Sequence, residues 1–198
     1  MIATKRHKKH KNLARVIAEG GVIAFRTDTF YGLGADPFNA SAVAKVRALK
    51  GRGENKPILL LLADTSMVDR FIAHRSAEFD EVAKKFWPGP LTIVGRAVAE
   101  LPLEITAGTG TVGVRVPADV DVRALVHECG GALTATSANP AGREPARSAA
   151  QVRHYFSDKI DLVIDGGEVT ATEASTVVDA TASPVKIVRA GAIDLTAF

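Results

Sequence analysis

The sequence has little cysteine and no long apolar run, and each absence excludes a class of protein. One cysteine, Cys129, stands among 198 residues, so no disulfide can form within the chain, as fits a reducing cytosol. No stretch approaches the roughly 18–20 uninterrupted apolar residues of a membrane span. The histidines lack the spacing of a metal site, and the N-terminus lacks the apolar segment of a signal peptide. We therefore expect a cytoplasmic protein that makes no membrane contact and holds no metal of its own.

The net positive charge of the chain comes from a short N-terminal stretch. The whole chain has a formal net charge of +3, and without five cations near its start the remainder carries −2. Those cations are Lys5, Arg6, Lys8, Lys9 and Lys11. A run of like charges at a terminus is usually solvated and frayed, although such a cluster can also bind RNA phosphates without sequence preference. We divide the chain into a flexible basic tail, 1–11, and one domain, 12–198.

Apolar periodicity and turn residues predict alternating helices and strands. With 46% apolar residues, the chain is long enough for one large core. Capping residues followed by apolar residues at helical spacing predict helices at 13–17, 39–49, 76–86, 121–129 and 148–156. Short apolar runs predict strands at 22–25, 58–62, 91–94, 112–116, 133–136, 162–164, 176–178 and 186–188. Because strands alternate with helices early and cluster late, we predict a single α/β domain with a mixed parallel and antiparallel sheet.

Three cations lie within seven residues, at Lys50, Arg52 and Lys56. They fall between the predicted helix that ends at Leu49 and the apolar run 58–62. In an extended chain Lys50 and Arg52, two positions apart, point the same way. Arginine binds phosphate as a planar fork and lysine binds it as a point charge. The segment therefore predicts an enzyme that acts on a phosphorylated small molecule.

Two glycine-containing segments are further candidates for ligand contacts. Residues 108–113 match G-x-G-x-x-G, but they lead into a strand rather than a helix, which argues against a dinucleotide site. Thr111 and Arg115 can still face a ligand from this strand. Residues 27–34 follow the first strand, where sheet edges often hold ligands, and a turn stabilised by Asp28 and Thr29 is the alternative.

Polar residues also follow two later strands. Ser137 and Asn139 stand two apart after the strand at 133–136 and can donate to a phosphate, although a single Ser-x-Asn is a weak signal. Arg189 follows the last strand, where it is either a surface charge or another anion ligand. Cys129 at a helix end is interpreted as a packing residue rather than a nucleophile.

Taken together, these segments resemble the YrdC/Sua5/TsaC family of threonylcarbamoyl-AMP synthases. The matching motifs occur in the family's order over about residues 22–193: TDTFYGLGAD, KGRGENKP, FWPGPLT, VGVRVP, TSAN, STVVD and IVRAG. The resemblance implies a twisted mixed α/β sheet with a large concave cleft, in the short single-domain form. It also implies condensation of L-threonine, bicarbonate or CO2 and ATP to threonylcarbamoyl-AMP and pyrophosphate, for t6A modification of tRNA.

The resemblance assigns roles to individual residues. Lys50 and Arg52 are the implied catalytic residues and hold the ATP phosphates together with Lys56. The other implied nucleotide contacts are Thr111, Ser137, Asn139 and Arg189. The implied threonine contacts are Thr29, Tyr31, Arg115 and Ser175. Mg²⁺ would arrive on the ATP phosphates, no organic cofactor is expected, and the t6A transfer machinery or tRNA is the expected partner.

Departures from the family pattern leave two alternatives open. The family's Arg-Pro-Gly is Arg189-Ala190-Gly191 here, and a histidine that some relatives place near threonine is Leu61. One alternative is an RNA-binding module, since members of the family have a concave basic surface. The other is a paralogue, similar to YciO or to a carbamoyl-transfer domain, with little synthase activity.

Overall fold

The computed structural model describes residues 12–51 and 56–195. The predicted tail at 1–11 lies outside this range, and so does Arg52 with the rest of the segment 52–55. The strands are β1 (Ile23–Arg26), β2 (Tyr31–Gly34), β3 (Leu60–Leu62), β4 (Ile72–His74), β5 (Leu91–Ala97), β6 (Thr111–Arg115), β7 (Ala132–Thr134), β8 (Thr136–Ser137), β9 (Leu162–Val163), β10 (Thr176–Asp179) and β11 (Lys186–Arg189). The helices are α1 (12–18), α2 (Ala40–Lys50), α3 (Ala77–Phe86), α4 (Leu103–Thr106), α5 (Val120–Glu128) and α6 (Ala149–Phe156), with 3-10 turns at Thr65–Arg70 and Ser157–Lys159. No helix in this range is long and apolar enough to cross a membrane.

The strands form two sheets, and both contain parallel and antiparallel pairs. The smaller sheet has the order β8-β2-β1-β9, with β1 parallel to β9 and the other pairs antiparallel. The larger sheet has the order β11-β10-β5-β6-β3-β7, with β4 added to β5. In it, β10 runs parallel to β5 and β3 runs parallel to β6. The predicted α/β class with mixed pairing is confirmed, and the strands divide between two sheets.

Several strands are buried on both faces, which explains their continuous apolar runs. In β3, Leu60 and Leu62 pack in one apolar cluster while Leu61 packs in a second. β1 behaves the same way, with Ala24 in the first cluster and Phe25 in the second. Such strands lack the alternation of apolar and polar residues that marks a half-exposed sheet. α5 packs against β3 and α6 packs against β1, and apolar clusters lie on both sides of these strands.

The helix ends follow capping chemistry, with two corrections to the sequence predictions. Asn39 caps α2 by accepting a hydrogen bond from the Ala42 amide, as predicted. The helix continues through Lys50, one residue further than predicted, because Gly51 ends it with a left-handed φ of 59°. Lys50 is therefore helical, not part of an extended loop beside Arg52. The cap of α5 is Asp119, whose side chain accepts from the amide of Asp121, the residue that was predicted to cap it.

The predicted strand at 133–136 is wrong in one respect that matters for the site. The chain leaves the larger sheet after Thr134 and joins the smaller sheet at Thr136. Ala135 lies between the two strands, and its amide donates to the Leu59 carbonyl at 2.8 Å. This transfer between sheets brings Ser137 opposite Gly32 of β2. The segment 31–34, predicted as a loop, is the strand that receives it.

Candidate active site

A cavity of about 790 Å³ is bordered by residues of both sheets. Its floor consists of alternate residues from neighbouring strands of the larger sheet, since successive residues of a strand point to opposite faces. Its other wall comes from the β1–β2 connection and from β8. The floor residues are Leu59, Leu61, Thr92, Val94, Thr111, Gly113, Arg115, Ser175, Val177 and Asp179, and the wall includes Thr27, Thr29, Phe30, Tyr31, Thr136 and Ser137.

One end of the cavity contains a buried, fixed guanidinium. Arg115 is 3% exposed, and its Nη2 forms an ion pair with the carboxylate of Asp28. Its Nε donates to the Gly89 carbonyl at 3.0 Å and its Nη1 to the Thr29 hydroxyl at 3.3 Å. Burial lowers the pKa of Arg115, and the Asp28 carboxylate opposes that shift. The guanidinium is thus held from several sides, with an orientation fixed before any ligand arrives.

A second polar cluster lies on the neighbouring strands β5, β10 and β11. The hydroxyls of Thr92 and Ser175 are 2.9 Å apart and buried, and Arg189 Nη2 donates to Ser175 Oγ at 3.1 Å and to the Ser175 carbonyl at 2.7 Å. The two hydroxyls have two hydrogens and use one in their mutual bond. No further acceptor for either hydroxyl exists among the described residues. One donor of this pair is therefore available to an acceptor atom of a ligand.

A β-bulge turns Arg189 towards this cluster. β10 and β11 pair in antiparallel fashion, and their register shifts between Val177, which pairs with Arg189, and Val178, which pairs with Ile187. Val188 is the extra residue of the bulge, and because of it the consecutive side chains of Val188 and Arg189 both border the cavity. Bulges commonly redirect a side chain beside a functional site. Arg189, which the sequence left open between surface charge and ligand contact, therefore borders the cavity.

Lys50 lies behind the cavity wall rather than on it. The Lys50 side chain is 2% exposed, and its Nζ donates to the Ser137 carbonyl at 2.6 Å, to Asn139 Oδ1 at 2.8 Å and to Ser137 Oγ at 3.3 Å. Ser137 Oγ in turn donates to Asn139 Oδ1 at 2.6 Å. Ser137 borders the cavity and the other two side chains stand behind it. In this state the ammonium holds the turn that presents Ser137.

The cavity brings together most of the site residues predicted from the sequence. Eight of them border it: Thr29, Tyr31, Lys56, Thr111, Arg115, Ser137, Ser175 and Arg189. Lys56 is exposed at the rim, and Tyr31 is buried, with its hydroxyl bonded to the Gly167 carbonyl at 2.8 Å and the Gly166 amide at 3.1 Å. Lys50 and Asn139 support Ser137 from behind. Arg52 lies outside the described residues, so its role stays a prediction.

Sequence reasoning missed several polar residues of the site, and Asp28, Thr92 and Asp179 are the charged or hydrogen-bonding ones that matter most here. For Asp28 the only role considered was in a turn, as the alternative to a ligand site, yet its carboxylate holds Arg115. Thr92 is the polar residue of the apolar strand 91–94, and Asp179 follows two valines in β10. The available signal was the alternation of side chains in β5 and β10, which puts Thr92 and Asp179 on the same sheet face as Thr111 and Arg115. Cys129 is not part of the cavity, and burial raises the pKa of its thiol to about 12, which suits a packing role.

These features define an α/β protein with a large cavity that has fixed cations and hydroxyl donors, the kind of site that binds anionic small molecules. The chain belongs to the Sua5, YciO and YrdC family: the family model, described as "Telomere recombination", matches residues 15–191. The threonylcarbamoyl-AMP synthase of Halorhodospira halophila is 43% identical over 156 residues, which cover 79% of this chain and 82% of that protein.

Two solved structures resemble the whole fold. Pyrococcus abyssi Sua5, determined in complex with L-threonine, is 37% identical with a TM-score of 0.89, and the match covers 92% of this chain and 54% of that one. This chain therefore spans about half the length of the P. abyssi protein. Escherichia coli YciO has a TM-score of 0.86 over 96% of this chain and 92% of its own, but at 24% identity it supports the fold alone.

Proposed function

We propose that this chain is an L-threonylcarbamoyladenylate synthase, a nucleotidyltransferase that condenses L-threonine, bicarbonate or CO2 and ATP. The observation that carries the proposal is the cavity with Arg115, Arg189 and a spare hydroxyl donor at one end and with Ser137 and Lys56 elsewhere on its border. A volume of about 790 Å³ is in the range of ligand sites and suits two substrates together. The names of the relatives at 37–43% identity support the same activity.

In this proposal L-threonine binds at the Arg115 end. Its carboxylate faces the guanidinium of Arg115 and the donor left by Thr92 and Ser175. The Thr29 hydroxyl lies 3.3 Å from Arg115 Nη1, and in the proposal it binds a polar atom of L-threonine. Tyr31 shapes the pocket through its bonds to residues 166 and 167. The preformed geometry lowers the entropic cost of binding a small amino acid.

The triphosphate of ATP binds towards Lys56 and Ser137, with Arg52 as a predicted further contact. Lys50 and Asn139 keep Ser137 in place, and Lys50 is proposed as a further contact of the phosphates. Asp179 is the one carboxylate among the described residues that border the cavity. In the proposal Mg²⁺ is carried by the ATP phosphates, where it keeps several waters, and Asp179 is not one of its ligands.

The reaction then proceeds by alignment and charge stabilisation. The threonine amine adds to CO2 and loses a proton, which gives a carbamate. A carbamate oxygen attacks the α-phosphorus of ATP, a new P–O bond forms, and the bond to the β-phosphate breaks to release pyrophosphate. Both reactants are anions, so the cations at the site offset their repulsion and the charge that builds in the transition state.

The product is proposed to serve t6A modification of tRNA through separate transfer machinery in the cytoplasm. The basic tail 1–11 ahead of the domain 12–198 is proposed as an accessory RNA contact. Because the tail is proposed to be separate from the catalytic domain, its removal should weaken binding to tRNA without changing the condensation itself. Electrostatic contacts of this kind weaken steeply as salt increases.

Pyrophosphate release that requires both L-threonine and bicarbonate tests the proposal. We expect release with ATP and both co-substrates, and only background release when either is omitted. A YciO-like paralogue would give background release with all substrates at excess. An RNA-binding module would bind tRNA but give no calorimetric heat with ATP plus L-threonine. The arrangement of cations and hydroxyls inside one cavity favours the synthase over the RNA-binding module, and the KGR and SAN motifs favour it over the paralogue.

A further inference from the structure

A single acidic side chain stands on a cavity border whose other charged groups are cations. Among the described residues that border the cavity, Asp179 is the carboxylate, and Lys56, Arg115 and Arg189 are the cations. Asp179 Oδ1 accepts from the Thr181 amide at 2.8 Å and the Thr181 hydroxyl at 2.6 Å. Its Oδ2 has no hydrogen bond to any described residue. One oxygen is thus engaged in a local turn and the other is available to a ligand.

The register of the sheet separates Asp179 from the threonine end. Asp179 and Ser175 are four residues apart and border the same cavity, so they stand about 13 Å apart at roughly 3.3 Å per residue. Asp179 pairs with Val94, and Val94 pairs with Gly113. Val94 and Gly113, with Leu59 beyond, form an apolar strip level with Asp179, one side-chain row away from Val177, Thr92 and Arg115. A Cβ at Gly113 would approach Thr92 Cγ2 to 3.0 Å, so the strip stays flat where glycine stands.

The chemistry of ATP limits which of its parts can meet this carboxylate. Like charges repel, so the phosphates are the wrong partners for Asp179. The donors of ATP are its ribose hydroxyls and the amino group of adenine. The ribose follows directly after the α-phosphate, which must lie next to the carbamate at the Arg115 end. The amino group stands at the far edge of the base, so the ribose hydroxyls are the nearer donors.

We propose that Asp179 accepts hydrogen bonds from the ribose hydroxyls of ATP and makes the site selective for ribonucleotides over deoxyribonucleotides. This inference rests on the proposed function, since it needs ATP in the cavity. Two structural roles compete with it. Asp179 shapes the turn with Thr181, and its cross-strand partner on β11 is Lys186, whose charge it can balance. Neither of those roles depends on which sugar the nucleotide contains.

The test compares the unchanged protein with Asp179→Ala, each with nucleotides that differ only in the sugar. Binding of ATP, 2′-deoxy-ATP and 3′-deoxy-ATP is measured by calorimetry with Mg²⁺, and kcat/KM for pyrophosphate release is measured with the same nucleotides. The unchanged protein should prefer ATP over at least one analogue by about tenfold to a hundredfold, as a hydrogen bond to a charged group predicts. Asp179→Ala should reduce that preference to within about twofold. Asp179→Asn, which keeps an acceptor oxygen, should retain part of it.

Thr181→Val is the matched control. It removes one donor to Oδ1 and leaves the carboxylate in place, so the preference for ATP should survive. Thermal unfolding checks that every variant is folded. The inference is overturned if the unchanged protein binds all three nucleotides equally, or if Asp179→Ala keeps the full preference. Equal loss of affinity for all three nucleotides would assign Asp179 to the turn or to Mg²⁺ and would also overturn it. If no pyrophosphate is released with ATP, the proposed function fails, while the binding comparison still tests Asp179.

Discussion

The two ends of the cavity are built differently. At the threonine end, Arg115 is buried and fixed by Asp28, Thr29 and the Gly89 carbonyl. At the proposed phosphate end, Lys56 is exposed and Ser137 is held by Asn139 and by Lys50 of α2. The first end has donors oriented in advance, and the second has an exposed cation and a hydroxyl whose bonds must be exchanged before a ligand can use it.

Under the proposed function, the difference lets one cavity bind two substrates of unlike size. A compact amino acid gains most from donors with fixed direction, because little order has to be imposed on binding. A triphosphate has charge spread over several groups and can be attracted by exposed cations at longer range. The buried end should therefore set selectivity, and the exposed end should depend on ionic strength. Each of the following variants tests one side of this contrast.

The largest effect is expected from Arg115→Ala. The change should abolish measurable L-threonine binding and lower kcat/KM more than a hundredfold, because the principal carboxylate partner is lost. It should also cost about 3–5 kcal/mol of unfolding free energy, since Asp28 keeps a largely buried charge without its partner. Calorimetry with L-threonine and urea unfolding measure the two effects. Arg96→Ala, at an exposed residue of β5, is the control and should change neither. Normal threonine binding by Arg115→Ala would contradict the assignment.

Lys50→Met should come next and should affect stability and catalysis together. The variant leaves the Ser137 carbonyl and Asn139 Oδ1 without their ammonium donor, at a cost of about 1–3 kcal/mol. The turn that presents Ser137 should loosen, and kcat should fall by at least tenfold. Urea unfolding and pyrophosphate release measure the two effects. Full stability with lost activity would instead indicate that Lys50 contacts the phosphates directly.

The contrast between the ends also explains which parts were predictable from the sequence. Apolar runs such as 58–62 and capping residues such as Asn39 gave the elements, since their signals are local. The two sheets were not predictable, because the break at Ala135 depends on its bond to Leu59 across the fold. The family motifs identified Arg115 and Ser137 as site residues. They did not reveal that Lys50 lies behind Ser137 or that a bulge turns Arg189 inward, because both depend on tertiary contacts.

Thr92→Val should produce a smaller and selective effect at the buried end. Valine has nearly the shape of threonine but removes the hydroxyl that is bonded to Ser175, so the remaining Ser175 donor loses the partner that fixes its direction. We expect KM for L-threonine to rise about fivefold to tenfold while KM for ATP stays constant. Steady-state pyrophosphate release measures both constants. Thr134→Val is the matched control, since its buried hydroxyl bonds Ala35 and Leu33 away from the cavity. An equal rise of both KM values in Thr92→Val would refute the selective role.

Lys56→Gln should give the smallest effect, and it tests the exposed end by its response to salt. The side chain is exposed at the rim, so water and ions screen its attraction for phosphates. At low ionic strength we expect KM for ATP to rise about threefold to fivefold, with kcat and KM for L-threonine unchanged. At about 0.5 M salt the variant and the unchanged protein should converge, because the lost contribution is the one that salt already removes. Lys45→Gln, at a helix residue bonded to the Gly20 carbonyl, is the control. A defect that persists undiminished at high salt would mean that Lys56 closes over the bound nucleotide, and the two ends would then be alike in having desolvated cations.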